Sequence, residues 1–106
     1  MLRAIKPGEL KRRLDAGEEL VLLDVRERSE LDICALPGAV HIPLGDLPAR
    51  LAELDQSRPT VCICHHGIRS ASVAGMLVQR DFDDVYNLMG GIDAWAREVE
   101  PSMTRY

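Results

Sequence analysis

Short apolar runs typical of buried strands alternate along this chain with segments of helical periodicity. The strand-type runs cover residues 20–25, 39–43, 60–64 and 84–88. The first and third are almost continuously aliphatic or β-branched, which is the pattern of strands covered on both faces. Strands of this kind, separated by helices, predict a parallel sheet between two layers of helices, that is, a three-layer α/β/α fold.

Helical patterns occupy the intervening segments, at residues 7–17, 29–32, 47–54, 70–80 and 92–99. Pro7 suits a first helical turn, and Gly17 is placed to end that helix. Ser29 and Ser70 are natural helix caps. No repeat or linker interrupts the pattern, so residues 1–106 are predicted to form one domain.

Composition narrows the classes of function. The chain is 46% hydrophobic and 28% charged, with a net charge of −4, as expected for a soluble globular protein. Its cations are not clustered, which argues against a nucleic-acid partner. Its apolar runs are too short to span a membrane, and the first residues lack the apolar core of a secretory signal. We therefore expect a cytoplasmic protein without membrane partners.

Three cysteines, Cys34, Cys62 and Cys64, cannot all form pairs. Cys62 and Cys64 are separated by one residue, a spacing poorly suited to a disulfide. Apolar neighbours favour Cys34 and Cys62 as small core residues, and whether either forms a disulfide with a sulfur-loaded Cys64 stays open. Cys64 differs because polar, glycine-containing and cationic residues follow it.

Residues 64–70 form the segment most suited to chemistry, because sites gather at the carboxyl ends of parallel strands. Cys64 ends a strand and faces the N-terminus of the next helix, where unpaired amides can form an anion-binding nest. Gly67 permits the positive φ that such a curl requires, and Arg69 adds a permanent positive charge. These features predict a lowered pKa for Cys64 and a thiolate nucleophile.

Adjacent histidines, His65 and His66, raise the alternative of a metal site. Zinc ligands normally come in spaced pairs from two parts of a chain, whereas Cys64, His65 and His66 are consecutive. The remaining histidine, His41, lies beside a strand end and is expected to be structural. We therefore predict no metal site.

Four motifs in order resemble the signatures of a single-domain rhodanese, a sulfurtransferase. They are Leu-Leu-Asp-Val-Arg at residues 22–26, Pro-Gly-Ala with Ile-Pro at 37–43, Cys-x4-Arg-Ser at 64–70, and Val-Tyr-Asn-Leu-Met-Gly-Gly-Ile-Asp-Ala-Trp at 85–95. The resemblance covers nearly the whole chain. It implies a rhodanese-like α/β/α domain.

The resemblance also implies roles for particular residues. Cys64 falls on the family's persulfide-forming cysteine, and Arg69 on the arginine that closes the loop. Asp24 and Arg26 fall on an Asp-x-Arg motif whose aspartate helps to anchor the loop arginine, so we expect a charge-assisted bond from Arg69 to Asp24. Arg26 either borders the cleft or pairs at the surface with a nearby glutamate.

The rest of the loop is expected to bind substrate, through His65, His66, Gly67, Ile68 and Ser70. The two histidine side chains could attract an anionic donor, or only their backbone amides could matter. Both interpretations remain open, and so does the position of residues 100–106, which could dock or fray.

Two departures from the family's pattern stand out. Cys34-Ala35-Leu36 replaces the usual Gly-His-Ile, and Asp81 replaces a glycine before the last strand. We expect Asp81 to hold a left-handed turn, which aspartate tolerates better than most residues. Neither change removes a catalytic group.

The implied activity is transfer of a sulfane sulfur from thiosulfate or another donor to a thiol or cyanide. The sulfur would pass through a Cys64 persulfide in a ping-pong mechanism, which needs no metal or organic cofactor. Related phosphatases need five residues between cysteine and arginine, and this chain has four. A relay fed by a protein persulfide and an inactive binding module are the alternatives.

Overall fold

A five-stranded sheet forms the centre of the computed structural model, which describes residues 2–106. Its strands are β1 (Leu2–Ile5), β2 (Val21–Asp24), β3 (Val40–His41), β4 (Thr60–Ile63) and β5 (Val85–Leu88). They lie in the order β1-β5-β4-β2-β3, and every neighbouring pair is parallel. The predicted parallel sheet is confirmed.

Helices cover both faces of this sheet. They are α1 (Pro7–Asp15), α2 (Arg28–Leu31), α3 (Leu47–Arg50), α4 (Ile68–Gln79) and α5 (Gly91–Glu98), with 3₁₀ turns on either side of α3. Successive strand residues point to opposite faces, so two cores result. One joins the sheet to α3 and α4, and contains Leu23, Cys62, Leu47, Val73 and Leu77. The other joins it to α1 and α5, and contains Leu22, Val61, Leu10, Ile92 and Trp95.

Both predicted serine caps are wrong. Helix α2 begins after Glu27, whose side chain accepts a backbone hydrogen bond while the Glu30 side chain accepts one from the Glu27 amide. Helix α4 begins after Gly67, which has a φ of 97°. Ser29 and Ser70 therefore lie inside their helices, because a reciprocal carboxylate box and a left-handed glycine already form the two starts.

Strand β1 was absent from the sequence prediction. Three of its four residues are exposed, and only Ile5 is buried. An edge strand of this kind lacks the continuous apolar run of a strand covered on both faces, and tertiary pairing with β5 stabilises it.

The left-handed turn predicted at Asp81 is confirmed, with a φ of 66°. No helix within residues 2–106 has the length and apolar character needed to span a bilayer.

The parallel arrangement brings three strand ends to one edge of the sheet. Asp24 at the end of β2 pairs in register with Ile63 at the end of β4, and Cys64 follows directly. On the other side of β4, Asn87 of β5 lies in register with Cys62. The candidate site is assembled at this edge.

Candidate active site

The segment after β4 wraps around the sulfur of Cys64. The backbone amides of Gly67 and Ser70 donate hydrogen bonds to Sγ at 3.1 and 3.3 Å, and the Ser70 hydroxyl lies 3.2 Å away. Gly67 turns the chain back with its positive φ, as predicted, and a Cβ there would lie 3.3 Å from the Leu88 carbonyl oxygen. The loop forms the expected amide cup around a buried thiol.

These hydrogen bonds lower the pKa of Cys64. Burial raises the pKa, but the thiolate is stabilised by the Ser70 hydroxyl when it turns towards the sulfur and by the amides of Ser70, Gly67 and His66, and together these bonds outweigh burial. Within residues 2–106 no such bond reaches Cys62, and burial raises its pKa to about 12. Of the two neighbouring thiols, Cys64 is the one equipped to react as a thiolate.

Helix α5 fixes the outer side of the loop. The amides of Ile92 and Asp93 donate to the carbonyls of Cys64 and His65 at 2.8 and 3.1 Å. Gly91 makes this approach possible, since a Cβ there would lie 2.3 Å from the His65 carbonyl oxygen. With the carbonyls held outward by α5, the following amides point inward at the sulfur.

Arg69 is anchored by Glu30, which the sequence did not predict as its partner. Its two terminal nitrogens donate to the two carboxylate oxygens of Glu30 at 2.7 and 2.8 Å. The Arg69 hydrogen bonds are the largest of the effects that lower the Glu30 pKa to about 2. The expected bond from Arg69 to Asp24 is therefore wrong: Glu30 holds Arg69, and Asp24 has another partner.

That partner is Arg26. Both side chains are fully buried, and the Arg26 guanidinium donates to both Asp24 oxygens, with contacts as short as 2.7 Å. It also donates to the Cys34 carbonyl at 2.8 Å, while His41 lies 2.6 Å from the Arg26 carbonyl. Arg26 thus forms neither a surface pair with a glutamate nor an exposed rim of the cleft. A buried carboxylate needs a local cation, and the one two residues away is closest.

Tyr106 connects the two ion pairs. Its hydroxyl accepts a hydrogen bond from Arg26 at 3.0 Å and donates one to Glu30 at 2.8 Å. Asp24 is therefore linked to Arg69 indirectly, through Arg26, Tyr106 and Glu30. Residues 100–106 dock rather than fray, and the sequence offered only the apolar character of Met103 and Tyr106 as a signal for this.

His65 faces the docked segment. Its ring stacks on the Tyr106 ring, with centroids 3.8 Å apart, and its Nε2 donates to the Tyr106 backbone oxygen at 2.9 Å. This oxygen can only accept, so Nε2 carries the proton. His66 and Ile68 extend from the loop into solvent, and the Ile68 side chain is among the most exposed apolar groups at 81%. His65 is thus covered by Tyr106, whereas His66 and Ile68 are exposed.

Three potential metal ligands meet beside the loop. Ligand atoms of His65, His66 and Asp93 lie within 4.8 Å of one another. The Asp93 carboxylate, however, already accepts hydrogen bonds from Arg97 and Arg105. Two guanidinium groups on the same carboxylate oppose a further cation, so this cluster is best described as an ion-pair network.

Comparison with known proteins agrees with this architecture. The Rhodanese-like domain family model matches residues 6–98. The Bacillus subtilis protein YtwF is 40% identical over 100 residues, which cover 94% of this chain and 96% of YtwF. The thiosulfate sulfurtransferase GlpE of Actinobacillus succinogenes is 34% identical over 89 residues, covering 84% of this chain and 80% of GlpE.

A solved structure shows the same fold. The rhodanese-related protein of Thermoplasma volcanium superposes with a TM-score of 0.84 at 31% identity, over 93% of this chain and 95% of that one. Together with the sequence matches, this likeness identifies the chain as a member of the rhodanese-like sulfurtransferase family.

Proposed function

We propose that this protein moves a sulfane sulfur from thiosulfate or a related donor to a thiol or cyanide acceptor through a persulfide on Cys64. The observation that carries the proposal is the cup around Cys64, in which two backbone amides donate to a buried sulfur. Such donors stabilise anionic sulfur without reorganisation during the reaction. GlpE, to which the chain is similar, is named a thiosulfate sulfurtransferase.

The first half-reaction is a displacement at sulfur. The Cys64 thiolate attacks the outer sulfur of thiosulfate, a new S–S bond forms, and the S–S bond of thiosulfate breaks as sulfite leaves with its electron pair. Arg69, at the rim of the loop, attracts the anionic donor, and the loop amides receive the terminal sulfur of the persulfide. In the second half-reaction, an acceptor nucleophile attacks that terminal sulfur, and the Cys64 thiolate is regenerated.

The other loop residues serve binding in this proposal. Gly67 and Ser70 contribute amides, His65 and His66 flank the entrance, and Ile68 offers an apolar contact. Asp24 and Arg26 act through Tyr106 and Glu30 on the position of Arg69. The length of the loop, with four residues between cysteine and arginine, favours a sulfur atom over a tetrahedral oxyanion such as phosphate. We also place the protein in the cytoplasm, where reducing conditions keep a thiol such as Cys64 free.

A protein-fed relay is the second candidate, and Ile68 favours it. Thiosulfate is a small anion and gains little from an apolar residue that is 81% exposed, so the apolar contact offered by Ile68 suits a protein that delivers or receives a persulfide. The chemistry at Cys64 is the same in both cases, and only the donor differs.

Intact mass after thiosulfate treatment tests the proposal. The wild-type protein should gain one sulfur atom and lose it on addition of cyanide. Cys64→Ser should gain none, while the matched control Cys34→Ser, which removes a partly exposed thiol, should load like the wild type.

Two further outcomes would redirect the assignment. Loading of Cys64 from a protein persulfide, with none from thiosulfate, would establish the relay. Failure to load from either donor would refute sulfur transfer and leave a binding module.

A further inference from the structure

Ser70 lies between two groups that compete for its single hydroxyl proton. Its Oγ is 3.2 Å from the Cys64 sulfur and 2.6 Å from Oδ1 of Asn87 on β5. The Asn87 amide nitrogen donates to the Gly67 carbonyl oxygen at 3.1 Å, which fixes the orientation of the amide group. Oδ1 can only accept, so the hydroxyl proton of Ser70 is committed to Asn87.

This commitment determines the hydrogen bond at Cys64. With the Ser70 proton on the Asn87 side, the contact between Cys64 and Ser70 can only be a bond donated by the thiol to Oγ. The observed arrangement is therefore that of the protonated cysteine. When Cys64 ionises, a Ser70 lone pair faces an anion unless the hydroxyl rotates towards the sulfur, and rotation leaves Asn87 Oδ1 without this donor. Ser70 is fully buried, so the lost bond is costly.

We propose that Asn87 is a positioning residue that makes Ser70 distinguish a charged Cys64 sulfur from an uncharged one. Asn87 holds the Ser70 hydroxyl away from the thiolate and so keeps the thiolate less stabilised and more nucleophilic. In a persulfide the inner sulfur is uncharged, because the charge resides on the terminal sulfur. Ser70 can then return its proton to Asn87. The asparagine thus favours both states in which Sγ carries no charge, the thiol and the persulfide.

The persulfide part of this inference rests on the proposed function, whereas the titration of the free thiol does not. No proton is released or taken up when the sulfur is transferred: the hydroxyl only rotates. The bonds formed and broken are those of the displacement already described.

Other charged or titratable groups also face the loop. They come from β4, from the loop, from α4, from α2, from α5 and from the docked segment 100–106, and are Cys62, His65, His66, Arg69, Glu30, Asp93 and Tyr106. All are retained in the variants below, so their influence on Cys64 cancels in the comparison.

A double-mutant cycle on the Cys64 pKa tests the inference, in a Cys34→Ser background that leaves Cys64 as the reactive thiol. The pKa is measured from the pH dependence of alkylation by iodoacetamide, without any sulfur donor. Asn87→Leu removes the competing acceptor at similar size. Ser70→Ala should raise the Cys64 pKa by about one unit more in the Asn87→Leu background than with Asn87 present, since a charge-assisted bond is worth about that much.

A role of Asn87 in merely holding the Gly67 carbonyl predicts a different result. Ser70→Ala would then raise the pKa equally in both backgrounds, and this additivity would overturn the proposal. Asn87→Ala provides a second test if the leucine variant fails to fold. It removes the same acceptor and adds no charge, so Ser70→Ala should again raise the Cys64 pKa by about one unit more than with Asn87 present, and an equal effect in both backgrounds would refute the inference.

Sulfur loading separates this inference from the proposed function. The titration cycle could show the expected coupling while neither the parent protein nor any variant accepts sulfur from any donor. In that case Asn87 controls the pKa of the Cys64 thiol, but the protein is not a sulfurtransferase. If sulfur loading occurs and the effects on the Cys64 pKa are additive, the sulfurtransferase assignment stands and the proposed role of Asn87 is refuted.

Discussion

Replacing Glu30 by glutamine should release Arg69 from its anchor. The Arg69 hydrogen bonds hold the pKa of Glu30 at about 2, against an ordinary value of 4.5. At about 1.4 kcal/mol per pKa unit, this difference sets a ceiling of roughly 3 kcal/mol on the stabilisation. The Glu30 side chain is 17% exposed and that of Arg69 37%, so solvent screens the pair and about 1–2 kcal/mol is expected at pH 7.

The pH dependence has a definite sign. The carboxyl group has a lower pKa in the folded than in the unfolded protein, so its contribution is complete above its ordinary pKa and is lost as the pH falls towards 2. The difference in the free energy of unfolding between the wild type and Glu30→Gln should therefore shrink to well below half of its pH 7 value, roughly two-fifths or less, by pH 3. Urea denaturation at both pH values measures it, and thiosulfate loading should slow in parallel at pH 7.

Glu53→Gln is a matched control. Arg50 donates to both Glu53 oxygens at 2.9 and 3.0 Å, in the same two-bond geometry, but the pair is on the surface. Its loss should leave stability and loading unchanged, because exposed pairs contribute little. Equal effects of Glu30→Gln and Glu53→Gln, or a difference that grows at low pH, would refute the reasoning.

Three other changes probe the edge of the sheet. Asp24→Asn should lower the free energy of unfolding by about 3–5 kcal/mol, because it leaves the buried Arg26 guanidinium without a carboxylate partner. A shift in the urea midpoint worth less than about 1 kcal/mol would contradict this. Gly91→Ala should abolish sulfur loading, because the new Cβ would lie 2.3 Å from a loop carbonyl, whereas Gly45→Ala, with open space around it, should load normally. Tyr106→Phe keeps the ring but removes the hydroxyl that joins the two ion pairs. This variant should lower the free energy of unfolding by about 1 kcal/mol and should reduce the rate of sulfur loading. If both values are unchanged, the Tyr106 hydroxyl contributes neither to stability nor to the position of Arg69.

The sequence alone was sufficient to predict the parallel α/β fold and the reactive cysteine loop. Continuous apolar runs such as Thr60–Ile63 predict strands covered on both faces, because that pattern is stable only between two layers of helices. The position of Cys64 after such a run, with Gly67 three residues on, predicts an amide cup because those contacts are local in the chain. Strand β1 escaped prediction because its stability comes from pairing with β5 and hardly from its own pattern.

Only the tertiary structure decided the partners of the charged and polar groups. Glu30 and Arg69 are 39 positions apart, and nothing local favoured Glu30 over Asp24 for that contact. Asn87 and Tyr106 reach the site from β5 and from the end of the described chain, where parallel strand ends and a docked segment converge. Hydrophobic pattern is encoded at short range, but hydrogen-bond partners depend on which side chains the packed fold brings within 3 Å. The reactive group is therefore evident from the chain, whereas the network that positions it appears only in the fold.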